Sequence, residues 1–95
     1  MESGVPGTND RRLDGNAAGG LLGEIFPFDM TTAWAVCSGC SAMERVGAQP
    51  AYMDAPGIVV RCAHCDTTLI RVVHGGGRYW IDLRGVSCLQ IDEQT

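Results

Sequence analysis

The chain has 95 residues, of which seven are basic and eleven are acidic, so its formal net charge is −4. This length leaves room for one small domain, because domains usually have about 50 to 250 residues. The acidic balance disfavours nucleic acid as a partner, and the lack of an apolar run of about 18 residues excludes a membrane span. Hydrophobic residues make up 45% of the chain, but 13 glycines predict a thin core. A chain of this size generally needs a disulfide or a metal to stabilise it.

The two ends of the chain lack the features of a folded segment. Residues 1–12 contain glycine, proline, serine, asparagine and charged residues and have no hydrophobic period, which predicts a disordered N-terminal tail. Residues 92–95 are predicted to form a C-terminal tail, which leaves one domain at residues 13–91. The first ten residues also lack the basic and apolar regions of a secretory signal, so a cytoplasmic location is expected. In a reducing compartment, paired cysteines indicate metal ligands or redox groups before structural disulfides.

A short amphipathic helix is predicted directly after the N-terminal tail. From Leu13 to Phe26, apolar residues recur at steps of three and four, which is the period of one helix face. Asp14 is the predicted N-cap, and Pro27 is predicted to end the helix. Four glycines lie in this segment, and each disfavours a helix by about 1 kcal/mol relative to alanine. The helix is therefore expected to depend on packing against the rest of the domain.

The rest of the chain predicts short strands separated by turn residues. Turns are expected at Asp54–Gly57 and at Gly75–Gly77. The predicted strands are Ala33–Val36, Met43–Ala48, Ile58–Arg61, Thr67–His74, Arg78–Arg84 and Ser87–Ile91.

The clearest predicted hairpin surrounds the three consecutive glycines. If His74 pairs with Arg78, Trp80 shares a face of the sheet with Val72. Trp80 then has two interpretations: it packs under the N-terminal helix, or it contacts a partner. Arg78, Trp80 and Arg84 have the arginine and aromatic composition of an interface centre. They are the candidate residues for contact with a partner.

Four of the five cysteines form two C-x2-C pairs, Cys37 with Cys40 and Cys62 with Cys65, and 21 residues separate the pairs. Two residues between cysteines let a tight turn aim both sulfurs at one point, and the spacing is typical of a four-cysteine zinc site. Each pair lies between two predicted strands. The predicted fold is therefore small α+β, with zinc-ribbon-like antiparallel β hairpins and one short N-terminal helix. Cysteine ligands alone do not separate Zn2+ from iron, so a rubredoxin-like iron site is the alternative.

Residues near the cysteine pairs refine this prediction. Ser41 and Asp66 stand where a positive φ is favoured, and aspartate tolerates that conformation better than serine. The second pair encloses His64, which also fits a thiol-redox turn, but such turns open a helix and a strand is predicted here. Cys88 lies in an apolar run, so it is predicted to be buried and unreactive, with a role as a fifth metal ligand or a regulatory role as the alternatives.

Several segments of the chain resemble a known family. They are Leu13–Leu22, the two C-x2-C turns, Asp54–Gly57 and Trp80–Gly85. Together they are similar to an uncharacterised, domain-of-unknown-function family of short actinobacterial zinc-ribbon-like proteins. The resemblance covers about residues 13–91 and implies that the four paired cysteines hold a metal. Genes of this kind often lie near oxidoreductase genes, so the resemblance also implies an oxidoreductase component as partner.

The functional hypotheses follow from the predicted coordination of the metal by four cysteine sulfurs. Four thiolates leave no open position for a substrate or an activated water, which predicts a structural zinc ion. No nucleophile stands at a recognisable spacing from a base, so we do not expect an enzyme. The first hypothesis is a small adaptor or accessory subunit that acts through protein–protein contacts. The alternatives are the rubredoxin-like electron carrier and a nucleic-acid-binding zinc ribbon, and the oligomeric state is left open.

Overall fold

The computed structural model describes residues 12–54 and 56–92. The predicted tails at residues 1–12 and 92–95 lie outside this range, except that Arg12 belongs to the first strand and Asp92 follows the last one. The described residues contain one α-helix, α1 (Gly19–Ile25), and eight strands. The strands are β1 (Arg12–Asp14), β2 (Trp34–Cys37), β3 (Met43–Arg45), β4 (Pro50–Asp54), β5 (Gly57–Arg61), β6 (Thr68–Gly75), β7 (Arg78–Asp82) and β8 (Val86–Gln90). Short 3-10 turns span Gly15–Ala18, Met30–Thr32 and Val46–Ala48.

The strands form two antiparallel sheets. The larger sheet has the order β1-β4-β5-β6-β7, and the smaller sheet has the order β3-β2-β8. One cluster of buried apolar side chains draws on both sheets and on α1: Ala18, Leu22, Met30, Ala33, Ala35, Cys37, Val46, Ala51, Ile58, Val60, Cys62, Leu69, Ile70 and Val72. The predicted small α+β class, with antiparallel hairpins and one short helix, is confirmed.

The N-terminal helix is shorter than predicted. Strand β1 and a 3-10 turn replace its first part, so α1 begins only at Gly19. Asp14, the predicted N-cap, lies in β1, and Ala18 takes the N-cap position without a side-chain hydrogen bond. A Cβ at Gly15 would overlap the carbonyl oxygen of Val46. This close approach of two backbones requires glycine at this position.

Two other predicted boundaries also change. The strand predicted at Met43–Ala48 ends at Arg45, where a 3-10 turn begins, and β4 was not predicted. Its first residue is Pro50, which a strand tolerates at its start because the missing N–H is not needed there. The predicted turn after β4 joins it to β5, with Asp54 paired to Gly57. Ala55 within that turn lies outside the described residues.

The β6–β7 hairpin differs by one residue from the predicted register. Gly76 and Gly77 have φ values of +60° and +77°, as a two-residue type I′ turn requires. Gly75 therefore pairs with Arg78, and the predicted pairing of His74 with Arg78 is wrong. A shift of one residue moves every side chain of a strand to the opposite face.

This shift decides the position of Trp80. Trp80 lies opposite Val73 and is 54% exposed, so it neither shares a face with Val72 nor packs under the helix. Tyr79 is turned toward the core in its place. The Tyr79 hydroxyl donates a hydrogen bond to Glu24 of α1 at 2.7 Å, which ties the helix to the hairpin.

Candidate metal centre

Two turns bring the four paired cysteines to one point. Cys37 ends β2 of the smaller sheet, and Cys62 follows β5 of the larger sheet. The four Sγ atoms lie within 4.8 Å of one another, with 3.5 Å between those of Cys37 and Cys65 and 3.6 Å between those of Cys40 and Cys62. Four sulfurs about 2.3 Å from a tetrahedral ion lie about 3.8 Å apart. The four cysteines can therefore hold a metal ion.

The two cysteine turns share the same backbone structure. Ser41 N–H donates to the Cys37 carbonyl oxygen at 2.9 Å, and Asp66 N–H donates to the Cys62 carbonyl oxygen at 3.0 Å. Ser41 and Asp66 have φ values of +65° and +66°, so the positive φ that is favoured after the second cysteine occurs in both turns, including the one with serine, which tolerates it less well than aspartate. The same local sequence pattern thus produces the same turn in two different sheets.

Backbone N–H groups point at two of the sulfurs. Gly39 N–H donates to Cys37 Sγ at 3.2 Å, and His64 N–H donates to Cys62 Sγ at 3.3 Å. Hydrogen bonds of this kind favour the thiolate, which is the form that binds a metal. Burial raises the pKa of the Cys37 thiol, but the backbone N–H groups of Cys40 and Gly39 lower it to about 6.

The two exposed thiols have pKa values that shift in opposite directions. The hydroxyl of Thr67, 3.0 Å from Cys65 Sγ, lowers the pKa of Cys65. The backbone of Ala42 lowers the pKa of Cys40, but burial and the three neighbouring sulfurs raise it to about 12. A cation at the centre favours the charged form of all four thiols. Metal binding is therefore coupled to proton release.

The second residue of each turn is tied to the rest of the domain. Ser38 N–H donates to the Gly85 carbonyl oxygen at 2.8 Å. At the equivalent position of the other turn, Ala63 N–H donates to Gln49 Oε1 at 2.8 Å. Gln49 is only 1% exposed. Neither acceptor was predicted from the sequence, because neither a single glutamine nor a loop carbonyl belongs to a recognisable motif.

We expect Gln49→Met to destabilise the domain by about 1–3 kcal/mol, because it leaves the Ala63 N–H buried without its acceptor. The free energy of unfolding by urea and zinc affinity by chelator competition measure the effect, and both should fall. Gln90→Met on β8 is the matched control, since Gln90 is exposed; it should stay within about 0.5 kcal/mol of wild type. Equal stability of the two variants would contradict a supporting role for Gln49.

His64 and Cys88 lie outside the sulfur cluster. His64 Nε2 is 2.9 Å from Glu44 Oε2, and both side chains are partly exposed. The turn that contains His64 leads into strand β6 and not into a helix, so it lacks the helix N-terminus of a thiol-redox turn. Cys88 is exposed, so its predicted burial is wrong. It lies in β8, an edge strand of the smaller sheet, whose pattern of burial leaves Cys88 facing solvent.

A groove along β6 and β7, here called the outer groove, contains two of the three candidate interface residues. Trp80 and Arg84 line this open hollow of about 780 Å³. Arg78 lies beside it, with its guanidinium carbon 6.0 Å from the centroid of the Trp80 ring. The other lining residues are Arg71, Val73, Ile81, Asp82 and Leu83. The fold therefore places the three candidate residues on one surface.

The outer groove continues toward the cysteine turns. A second hollow of about 490 Å³ shares Arg71, Asp82 and Arg84 with it and also reaches Ser38 and Thr67. Arg84 donates a hydrogen bond to Asp82 at 2.7 Å, and these side-chain hydrogen bonds lower the pKa of Asp82 to about 2. Two guanidinium groups and one carboxylate thus line a groove on a chain whose net charge is −4.

The fold and the site define a small α+β protein with four cysteines that can hold a metal ion. A family model described as "Family of unknown function (DUF6510)" matches residues 8–94. The chain belongs to this family, in agreement with the resemblance to an uncharacterised family. No curated protein and no solved structure matches the chain significantly. Among the helices of the described residues, none is long and apolar enough to cross a membrane.

Proposed function

We propose that the protein is a structural zinc ribbon that acts in the cytoplasm as a small adaptor or accessory subunit. The sulfur cluster supports a structural role, because Cys37 and Cys62 are 1% and 3% exposed and belong to the core. An ion held there joins one turn of each sheet. Four thiolates complete a tetrahedral shell and leave no position for a substrate. A zinc ion there would hold the two sheets together, and we propose no catalytic step.

The proposal that the protein binds another protein is based on the residues of the outer groove. Trp80 is 54% exposed, and a large exposed aromatic side chain among guanidinium groups is typical of the centre of a protein interface. Arg71 and Arg84 outnumber Asp82 in the groove, which favours a partner segment that carries carboxylates. An oxidoreductase component, which the resemblance implies, is the partner class of this proposal. The net charge of −4 disfavours nucleic acid.

Affinity capture from the source organism tests the adaptor role with a Trp80→Ala, Arg84→Ala double variant. We expect the variant to lose the captured partner, because truncation of a central interface residue costs about 2 kcal/mol or more, about 30-fold in affinity. Met53→Ala is the matched control, since Met53 is 46% exposed and lies on β4. Circular dichroism must show that both variants fold. Equal recovery of the partner by wild type and both variants would contradict binding through the outer groove.

Metal analysis after reducing purification tests the identity of the ion. We expect about one zinc per chain, with sulfur at about 2.3 Å in X-ray absorption spectra, and a colourless protein. The rubredoxin-like electron carrier is the second candidate, because the exposure of Cys40 and Cys65 would place an iron ion near the surface, where a redox partner could approach it. A red protein that contains iron would support that carrier. Disulfide-linked cysteines without metal would contradict both candidates.

A further inference from the structure

Strand β7 forms one edge of the larger sheet. It is last in the strand order and pairs with β6 through five consecutive residue pairs. Trp80 and Ile81 on this strand are 54% and 41% exposed. The strand sequence contains neither lysine nor proline, the residues that commonly protect an edge from pairing. An edge with unpaired backbone groups and exposed apolar side chains is a template for another strand.

Two residues of β7 turn their backbone groups away from β6. His74 N–H donates to the Pro56 carbonyl oxygen at 3.2 Å, so His74 directs its hydrogen-bonding groups away from β7. Its partner Tyr79 is consequently in a non-hydrogen-bonded pair, and its own N–H and C=O point to the free edge. Ile81, two residues further along the strand, has the same orientation by alternation.

We propose that two copies of this chain pair antiparallel through their β7 strands, about a two-fold axis at Trp80. Tyr79 of each copy then lies opposite Ile81 of the other copy, so the outward N–H and C=O groups meet as hydrogen-bond partners. Arg78 lies opposite Asp82 of the second copy, twice by symmetry. Trp80 lies opposite Trp80 of the second copy as an aromatic pair. When two copies of the sequence Arg-Tyr-Trp-Ile-Asp run antiparallel, each charged residue faces one of opposite charge and each apolar or aromatic residue faces another.

Charge and length distinguish β7 from the other edge strands of the described sheets as the strand that pairs with a second copy. Strands β1 and β3 have three residues each, and β8 carries no charged residue. Strand β7 begins with a cation and ends with an anion. Opposite charges directly across two strands stabilise the pairing, and like charges destabilise it. An antiparallel second copy therefore places an opposite charge across from each end of β7.

The dimer leaves the face of the outer groove open to solvent, although Trp80 of each copy contacts Trp80 of the other copy at the two-fold axis. Side chains of a strand stand perpendicular to the sheet, so pairing at the edge does not cover the face that carries Trp80. The grooves of the two copies come to lie side by side. This inference goes beyond the proposed function and does not depend on it. Dimerisation is measured on the purified chain alone, whereas the adaptor role requires a partner.

Sedimentation velocity of the metal-loaded protein over a range of concentrations tests the dimer. The contact is small, so we expect a dissociation constant of roughly micromolar order. Arg78→Asp places two carboxylates opposite each other at both ends and should weaken the dimer about tenfold or more. Asp82→Arg should do the same with two guanidinium groups. An equimolar mixture of the two variants restores opposite charges at both ends and should dimerise as wild type does.

Two further variants separate this contact from general effects of charge and fold. Arg45→Asp makes the same charge change at an exposed residue of β3, in the smaller sheet, and should alter the dissociation constant by less than about threefold. Ile81→Pro removes an outward N–H that β6 does not use and should abolish the dimer. Circular dichroism and metal content show which variants are folded. Reductant prevents an intermolecular disulfide of Cys88, which is exposed.

Three results would overturn the proposal. The first is a wild-type chain that stays monomeric up to millimolar concentration. The second is a dimer that Ile81→Pro leaves intact, and the third is a mixture of the two folded charge variants that stays monomeric. Because Asp82 also accepts a hydrogen bond from Arg84, Asp82→Arg could fail to fold. In that case Arg78→Asp and Ile81→Pro decide the question.

Discussion

Replacement of Cys62 by serine is expected to abolish the cooperative unfolding transition of the domain. Cys62 is 3% exposed, and its sulfur belongs to the cluster that joins a turn of each sheet. Structural zinc sites contribute about 10–16 kcal/mol in zinc-finger peptides, whereas the total stability of a native protein is about 5–15 kcal/mol. If the proposed zinc ion is bound there, loss of one of its four ligands removes a contribution as large as the whole stability.

Thermal unfolding followed by circular dichroism measures this loss, for Cys62→Ser and for wild type after chelation. The matched control is Cys88→Ser, because Cys88 is exposed and lies outside the sulfur cluster. Its unfolding curve should coincide with that of wild type. An unchanged unfolding curve after complete removal of metal would show that the core alone stabilises the fold.

Gly85→Ala is expected to have the second largest effect, a destabilisation of about 3 kcal/mol. A Cβ at Gly85 would overlap the carbonyl oxygen of Thr68 in β6. Both groups belong to backbone, so neither can move without distorting a strand or loop. The Gly85 carbonyl also accepts the hydrogen bond of Ser38 N–H at 2.8 Å. The substitution therefore disturbs the first cysteine turn as well as the β7–β8 loop.

Urea unfolding of the metal-loaded protein measures this effect against Gly20→Ala as control. Gly20 lies in α1, and a Cβ there meets no atom within 4 Å. Alanine in a helix is favoured over glycine by about 0.8–1.0 kcal/mol, so Gly20→Ala should stabilise the domain. The same glycine-to-alanine change should thus lower the free energy of unfolding at Gly85 and raise it at Gly20. This difference isolates the effect of the close contact between Gly85 and β6. A Gly85→Ala variant as stable as wild type would show that the loop can move away from β6.

The β6–β7 hairpin was predictable from the sequence in its position but not in its register. Three consecutive glycines correctly predicted a hairpin turn, but they are compatible with a loop of either two or three residues. The positive φ of Gly76 and Gly77 selects the two-residue loop, whose twist matches that of the strands. This difference of one residue decides that Tyr79 faces the core and that Trp80 is exposed.

The sequence by itself determined the class of the fold and the cysteine turns. A C-x2-C turn is formed by residues adjacent in the chain, so the turn that brings Cys37 and Cys40 together follows from their spacing. The positive φ of Ser41 was less expected, because serine tolerates it less well than aspartate. The same local rules apply to Cys62 and Cys65. Strand and helix types were also predictable in outline, because turn residues and apolar periodicity are local signals.

Only the tertiary structure decided which distant groups support the site and form the outer groove. Gln49, which directly precedes β4, accepts a hydrogen bond from the second cysteine turn through its side-chain oxygen, and Ser38 contacts the loop after β7. Arg71 and Asp82 come together because β6 and β7 pair in one particular register. These contacts depend on how two sheets and a helix bury their apolar faces together. Such packing is a property of the whole chain, so short sequence patterns do not specify it.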